Sequence, residues 1–290
     1  MLFLQLLING IQAGALYALI AVGFSLIFGT TRIFHFAHGA TFTIAAYVFY
    51  HLYAVMHLHW SVAALACAVA AVLFGLALNR WVYIPIQKHE GSFFTVFVAA
   101  FGVSILVENL CGMVFGRSYV SVDTPLSRSV EITHGLYVSP LSGIAIVIAL
   151  LFFGGLQAFL MRTHTGMALR ALSDNPELVR AYGLSPRRLS MSVFALGSLL
   201  AVPAAILTAM GSGLQPSLGE HVMLISLAAS IVGGIGSLRG AAYAGLVLGL
   251  AENLALAYCQ PQWSEAGTFS VLVLSIIVRP SGSFARVLAS

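Results

Sequence analysis

The stretch THTGMALRALSDNPELVRAYGLSPRRL, residues 163–189, decides how this chain is read, because it is a polar island between two membrane-length apolar runs. From Arg162 to Arg188 the island holds five of the thirteen basic residues and two of the nine acidic ones. Ser173 or Asp174 is placed to cap a helix that Pro176 opens, since proline lacks the amide hydrogen that a first turn leaves unpaired anyway. Glu177 favours the positive end of that helix. Leu178, Val179 and Tyr182 form an apolar stripe at helical spacing, Gly183 suits a left-handed closing position, and Pro186 forbids continuation. The pattern predicts a two-turn amphipathic helix under a membrane, held by lipid headgroups or by a docked partner.

Composition extends that reading to the whole chain. The 290 residues are 60% hydrophobic and only 8% charged, with mean hydropathy +0.98, whereas a soluble domain is about 25% charged. One water-soluble core of this size has no room for so much apolar surface, so the solvent is lipid. A net charge of +4 could suggest nucleic acid, but the basic residues are scattered along the loops rather than gathered on one face. Cys67, Cys111 and Cys259 lie in or beside apolar runs and read as packing, not as a disulfide framework or a metal site. The first apolar run lacks the positive leader of a signal peptide and is long enough to span, so it is expected to be retained.

About 20 apolar residues in a helix cross a hydrocarbon core of roughly 30 Å. Candidate spans are Leu4 to Phe28, Ala37 to Met56, Ser61 to Asn79, Phe93 to Phe115, Leu141 to Leu160, Leu189 to Met210, His221 to Ile235, Ala241 to Cys259 and Gly267 to Val278. The seventh and ninth are short enough to be re-entrant or broken. The expected fold is therefore an all-α polytopic membrane protein with eight to nine transmembrane helices, read as one domain over 1–290. Cytoplasmic loops retain Lys and Arg. With the N-terminus outside and nine spans, the inside set is Arg32, Arg80, Lys88, Arg162, Arg170, Arg180, Arg187, Arg188, Arg239, Arg279 and Arg286, eleven of the thirteen basic residues. Only Arg117 and Arg128 fall outside, which puts the polar island and the C-terminus in the cytoplasm and mildly prefers nine spans.

Glycines suggest where helices touch or break. Gly236-x3-Gly240 and Gly245-x3-Gly249 have the spacing that lets backbones approach in lipid. The dense run Gly233-Gly234-Ile235-Gly236-Ser237 should interrupt a helix. Glu108-Asn109-Leu110 and Glu252-Asn253-Leu254 echo each other inside two spans. An ionisable group costs about 2.5 to 3.5 kcal/mol at a helix centre, so Glu108 and Glu252 either line a polar pathway or are satisfied by neighbouring helices. His35 and His38 have an i, i+3 spacing compatible with a metal pair, but no carboxylate or cysteine lies nearby in sequence, so no metal is expected. His57 and His59 sit in a short external turn and need no special role. The lone lysine, Lys88, is not in a GxxxxGK[ST] loop, and neither HExxH nor GxSxG occurs, so neither ATP binding by a P-loop nor enzymatic activity is expected.

Taken together, several motifs resemble the LivH-type permeases of bacterial branched-chain amino acid ABC transporters over nearly the full length. They are Leu7-Ile-Asn-Gly10 with Gly14-Ala-Leu-Tyr-Ala-Leu19, Gly29-Thr-Thr-Arg-Ile-Phe-His-Phe-Ala-His-Gly39, Gly166-Met-Ala-Leu-Arg-Ala171 through Gly183, and Gly233-Gly-Ile-Gly-Ser-Leu-Arg-Gly240. The chain departs from the general importer pattern, Glu-Ala-Ala ahead of glycine, with Leu178-Val-Arg-Ala181 before Tyr182-Gly183. His35 stands where the motif would have asparagine.

The resemblance implies an importer subunit in the bacterial inner membrane. Its partners would be a second permease (LivM-like, or a second copy), two cytoplasmic ABC ATPases that bind the ATP and Mg, and a periplasmic binding protein. Residues 162–188 would be the coupling loop, with Asp174, Asn175, Pro176, Glu177, Arg180, Tyr182 and Gly183 at the ATPase contact. The substrate path would involve His38, Thr41, Glu108, Asn109, Glu252 and Asn253. Similar permeases carry urea, short amides or aromatic acids, and a stand-alone secondary transporter using Glu108 or Glu252 as proton carrier is the reading from a different class.

Overall fold

The computed structural model describes residues 2–89, 91–133, 136–257, 270, 272–274 and 277. Cys259, most of the expected ninth span Gly267 to Val278, Arg279 and Arg286 lie outside the described residues.

Eight helical segments match the first eight expected spans. They are α1 (Leu2–Thr31), α2 (His38–Phe49), α3 (Trp60–Leu78), α5 (Phe93–Phe115), α6 (Pro140–Arg162), α9 (Pro186–Gly211), α10 (Leu218–Gly233) and α11 (Leu238–Ala255). A short α4 (Ile84–Lys88) follows α3 through a π-helical turn, Asn79–Tyr83, and the polar island forms α7 (His164–Asp174) and α8 (Pro176–Ala181). Among the described residues, five helices are long and apolar enough to cross a membrane. With its 12 residues, α2 is about 18 Å long at 1.5 Å per residue, too short to span alone, and a π-helical turn over Tyr50–Val55 extends it.

Burial sorts these helices into an inner and an outer set. In their most apolar windows α1 and α9 are 72% and 67% buried, against 28% for α3 and 17% each for α5 and α6. Ten of the twelve α2 residues are buried, so this short helix is enclosed by protein and not by lipid. It packs between α3, α9, α10 and α5, while α1 lies against α11, α9, α10 and α6.

Small residues set the closest approaches. A Cβ at Gly249 would collide with the backbone of Gly14, and one at Gly245 with that of Ala18, so α1 and α11 meet backbone to backbone. The α10–α11 break falls where the glycine cluster predicts it, with Gly234 at φ +95 and Gly236 at φ +87. Ser237 then caps α11 by accepting the Gly240 amide at 3.1 Å. Besides α4 and α7, which have no counterpart among the expected elements, the loop before α6 contains an unexpected antiparallel pair, β1 (Val130–Thr133) and β2 (Leu136–Val138). Gln5 holds it to α1, donating to the Tyr137 carbonyl at 2.7 Å and accepting its amide at 2.9 Å.

Candidate functional site

The polar island is a helical hairpin, and its local chemistry explains both helices. Thr163 caps α7 by accepting the Gly166 amide at 3.0 Å, and Gly166 packs so tightly on α6 that a Cβ would strike the Leu160 backbone. Leu169 and Leu172 are buried beneath α7. Asn175, rather than Ser173 or Asp174, caps α8, its side-chain oxygen accepting the Glu177 and Leu178 amides at 3.0 Å each. Asp174 ends α7, and Ser173 is used elsewhere, donating to the Gly29 carbonyl at the end of α1 at 2.8 Å. At the other end the Gly183 amide donates to Arg180 (2.9 Å) and the Leu184 amide to Val179 (3.1 Å), with Gly183 at φ +76. That pair of bonds is a Schellman closure.

The expected apolar stripe is divided. Val179 is buried, but Leu178 is 52% and Tyr182 78% exposed, so two of its three members point away from the protein. Helix α8 therefore presents Leu178, Arg180 and Tyr182 outward on a frame fixed at both ends. Asn175→Ala is expected to cost about 1 kcal/mol of local stability, while Asn175→Asp keeps the cap. Hydrogen exchange at the Glu177 and Leu178 amides measures it: exchange should rise for alanine only.

Several basic residues gather at this end of the bundle. Arg80, Lys88 and Arg187 border one groove, and Gly236, close to Arg239, lies against Gly29 near Arg32.

The expected path residues fall in three places. His38 begins α2 fully buried, packed over Gly23 of α1. Neither of its ring nitrogens makes a hydrogen bond, the Ile20 carbonyl being near the ring but not in bonding geometry. Thr41, also fully buried, donates to the Ala37 carbonyl of its own helix at 3.3 Å. Half-buried Glu108 sits on the outer helix α5, and Asn109 beside it accepts from Arg117 at 2.8 Å. Glu252 on α11 lies 3.9 Å from His221 Nε2 on α10. The echoed asparagines behave alike: Asn109 donates to Ile105 at 2.8 Å and Asn253 to Gly249 at 3.0 Å, each bonding its own helix four residues back. No hydrogen bond or ion pair joins the three places to one another among the described residues.

Sequence reasoning missed the surroundings of His38. His35 Nδ1 is 2.7 Å from the Tyr83 hydroxyl, and the rings of His35 and His38 are 5.6 Å apart. Among the described residues no group of three or more potential metal ligands forms there or elsewhere.

An apolar helical bundle whose inner helices are buried and whose one end carries an exposed, capped hairpin has the architecture of a multi-pass membrane transport subunit. The chain belongs to the branched-chain amino acid transport permease family: the family model "Branched-chain amino acid transport system / permease component" matches residues 6–278. It is 26% identical to the high-affinity branched-chain amino acid transport system permease protein LivH of Escherichia coli, over 98% of this chain and 96% of LivH. It is also 23% identical to LivM of the same organism, named as a permease protein of the same system, over 92% of this chain and 67% of LivM. Among solved structures a chain of PsaBC from Streptococcus pneumoniae, in complex with Fab, superposes with TM-score 0.52 at 13% identity, covering 99% of this chain and 94% of that one. The likeness to PsaBC is one of fold.

Proposed function

We propose that the chain is one of two permease subunits of an ATP-driven importer for branched-chain amino acids, working by alternating access with two ABC ATPases and a binding protein. The observation that carries this reading is the exposed face of α8, rigidly capped by Asn175 and closed at Gly183 while the residues that point outward have nothing to pack on. Leu178 and Tyr182 are left exposed on α8, where a docked partner would cover them. The likeness to both LivH and LivM supports a second, different permease as partner.

The basic residues gathered around α7 and α8 support a cytoplasmic location for that end, with the N-terminus of α1 on the other side. In this arrangement Asp174, Asn175, Pro176, Glu177, Arg180, Tyr182 and Gly183 form the ATPase contact. ATP-driven movement of the ATPases must change the contact energy at α8 between two states, since an equal contact in both transmits nothing. Proximity tests it: a thiol crosslinker on Tyr182→Cys is expected to capture an ATPase subunit in the assembled complex. Capture only from positions on the opposite end of the bundle would contradict the reading.

His38, Thr41, Glu108, Asn109, Glu252 and Asn253 are the proposed path residues. A zwitterionic amino acid needs an acceptor for its ammonium group, which either carboxylate supplies. Glu108→Gln and Glu252→Gln are expected to lower uptake roughly tenfold, about 1.4 kcal/mol in the barrier, with membrane insertion unchanged. Normal uptake by both variants would make the two carboxylates structural.

A further inference from the structure

The helical run from Trp60 to Lys88 passes through α3, the π-helical turn and α4, and its 29 residues make it about 43 Å long. A bilayer with its headgroup regions is about 40 to 45 Å deep, so this run reaches from one surface to the other. Two tryptophans on it are exposed, Trp60 to 62% and Trp81 to 76%. The stretch from Trp60 to Trp81 covers about 32 Å, against roughly 30 Å for the hydrocarbon core. The two indoles therefore stand at opposite borders of the core, where tryptophan is enriched. Residues just beyond Trp81 lie at headgroup depth.

At that depth the chain forms a groove of about 480 Å³. Arg80, Trp81, Ile84, Pro85 and Lys88 supply one wall, and Arg187, in the first turn of α9, supplies the other. The inner side of the turn is fixed, since the Tyr83 hydroxyl and His35 Nδ1 are 2.7 Å apart and Asn79 donates to Ser190 of α9 at 3.3 Å. On the outer side Arg80, Lys88 and Arg187 are exposed. Among the described residues no carboxylate forms an ion pair with any of the three. Arg187 also stands at the positive end of the α9 dipole. Three cations around one groove repel one another and attract an anion. Trp81, Ile84 and Pro85 add an apolar floor, which suits a molecule with a charged head and an apolar tail.

We propose that this groove binds the phosphate of an anionic phospholipid in the leaflet on the α8 side. Arg80, Lys88 and Arg187 surround the headgroup through charge-assisted hydrogen bonds, while Trp81, Ile84 and Pro85 lie against the start of the acyl chains. Position favours a lipid over the acidic face of a soluble partner, because Trp81 puts the groove at the border of the hydrocarbon. Such a site requires only that the chain span a membrane and is independent of the cargo.

Fluorescence quenching tests it. The full chain with Trp60→Phe and Trp263→Phe keeps Trp81 as its only tryptophan and is reconstituted in phosphatidylcholine vesicles that contain a brominated lipid. Brominated phosphatidylglycerol is expected to quench Trp81 at a mole fraction at least about tenfold lower than brominated phosphatidylcholine, with the preference weakening as salt is raised. Arg80→Gln, Lys88→Gln and Arg187→Gln together should bring the two lipids within about twofold of each other, whereas Arg128→Gln, in the loop at the other end, should leave the preference intact. Equal quenching by the two lipids in the parent would overturn the proposal, as would a preference that survives the triple substitution. Displacement of the lipid by inorganic phosphate at constant ionic strength would assign the groove to a free anion. Disappearance of the preference when the two ATPases assemble with the chain would assign it to a protein contact, and either result overturns the lipid site. If the single-tryptophan variant does not fold, the phosphatidylglycerol retained per chain on purification decides: the parent should retain more than the triple variant, and equal retention refutes the site.

Discussion

Gly249→Val is expected to destabilise the protein by about 3 kcal/mol or more. The Gly249 Cα lies where α1 and α11 approach most closely, and a Cβ there would occupy the position of the Gly14 backbone, which has no flexible end to swing aside. Overpacking of a well-filled interior costs about 1 to 3 kcal/mol where side chains absorb it, and here the obstacle is main chain, so the cost should reach or exceed the upper value. That is a large share of a total stability of about 5 to 15 kcal/mol, and Glu252 and Asn253 one turn later are displaced as well. Gly154→Val provides the contrast, because nothing lies within 4 Å of a Cβ at Gly154. Size-exclusion profiles and thermal unfolding of the detergent-solubilised chain compare the two: a folded Gly249→Val at parent stability would show that the α1–α11 seam is looser than described.

Gly183→Pro should leave insertion intact and disconnect ATP hydrolysis from transport. Proline fixes φ near −65°, while residue 183 stands at φ +76 and its amide donates to Arg180. The substitution thus breaks the closure of α8 and redirects the chain into α9. Uptake and substrate-stimulated ATP hydrolysis are expected to fall by more than about tenfold, a change of at least about 1.4 kcal/mol. Arg180→Glu should act in the same direction by reversing charge on the outward face, and Gly183→Asn should recover part of the function because asparagine tolerates the left-handed region. Unchanged coupling in reconstituted vesicles would remove α8 from the mechanism.

The described part of the fold was legible where one physical signal dominated. Long apolar runs gave α1, α3, α5, α6 and α9 to within a few residues, because length and hydropathy are sufficient to define a helix in lipid. The glycine cluster located the α10–α11 break for a similarly local reason. Caps were less secure: Ser173, Asp174 and Asn175 are all competent, and tertiary structure decided, since Ser173 is held by Gly29. The sequence pattern does not mark α7 off from the rest of the island, because its polar face reads like any surface loop and only the fold buries Leu169 and Leu172. The small β-pair leaves no local signal in the sequence, because its order depends on Gln5, more than a hundred residues away. In the candidate site, His38 stood out by chemistry, whereas Tyr83, bonded to His35, was concealed at the end of one span. Only the packing of α2 on α3 and α9 brings them together.

ATP-driven import by a complex that includes this chain is checked by uptake of radiolabelled leucine into proteoliposomes. The vesicles would hold this permease, its partner permease and the two ATPases, with the binding protein added to the face opposite α8. Uptake is expected to require both ATP on the α8 face and binding protein, and to persist when ionophores collapse the ion gradients. Gradient-driven uptake by the purified chain alone, indifferent to ATP and to the binding protein, would contradict it.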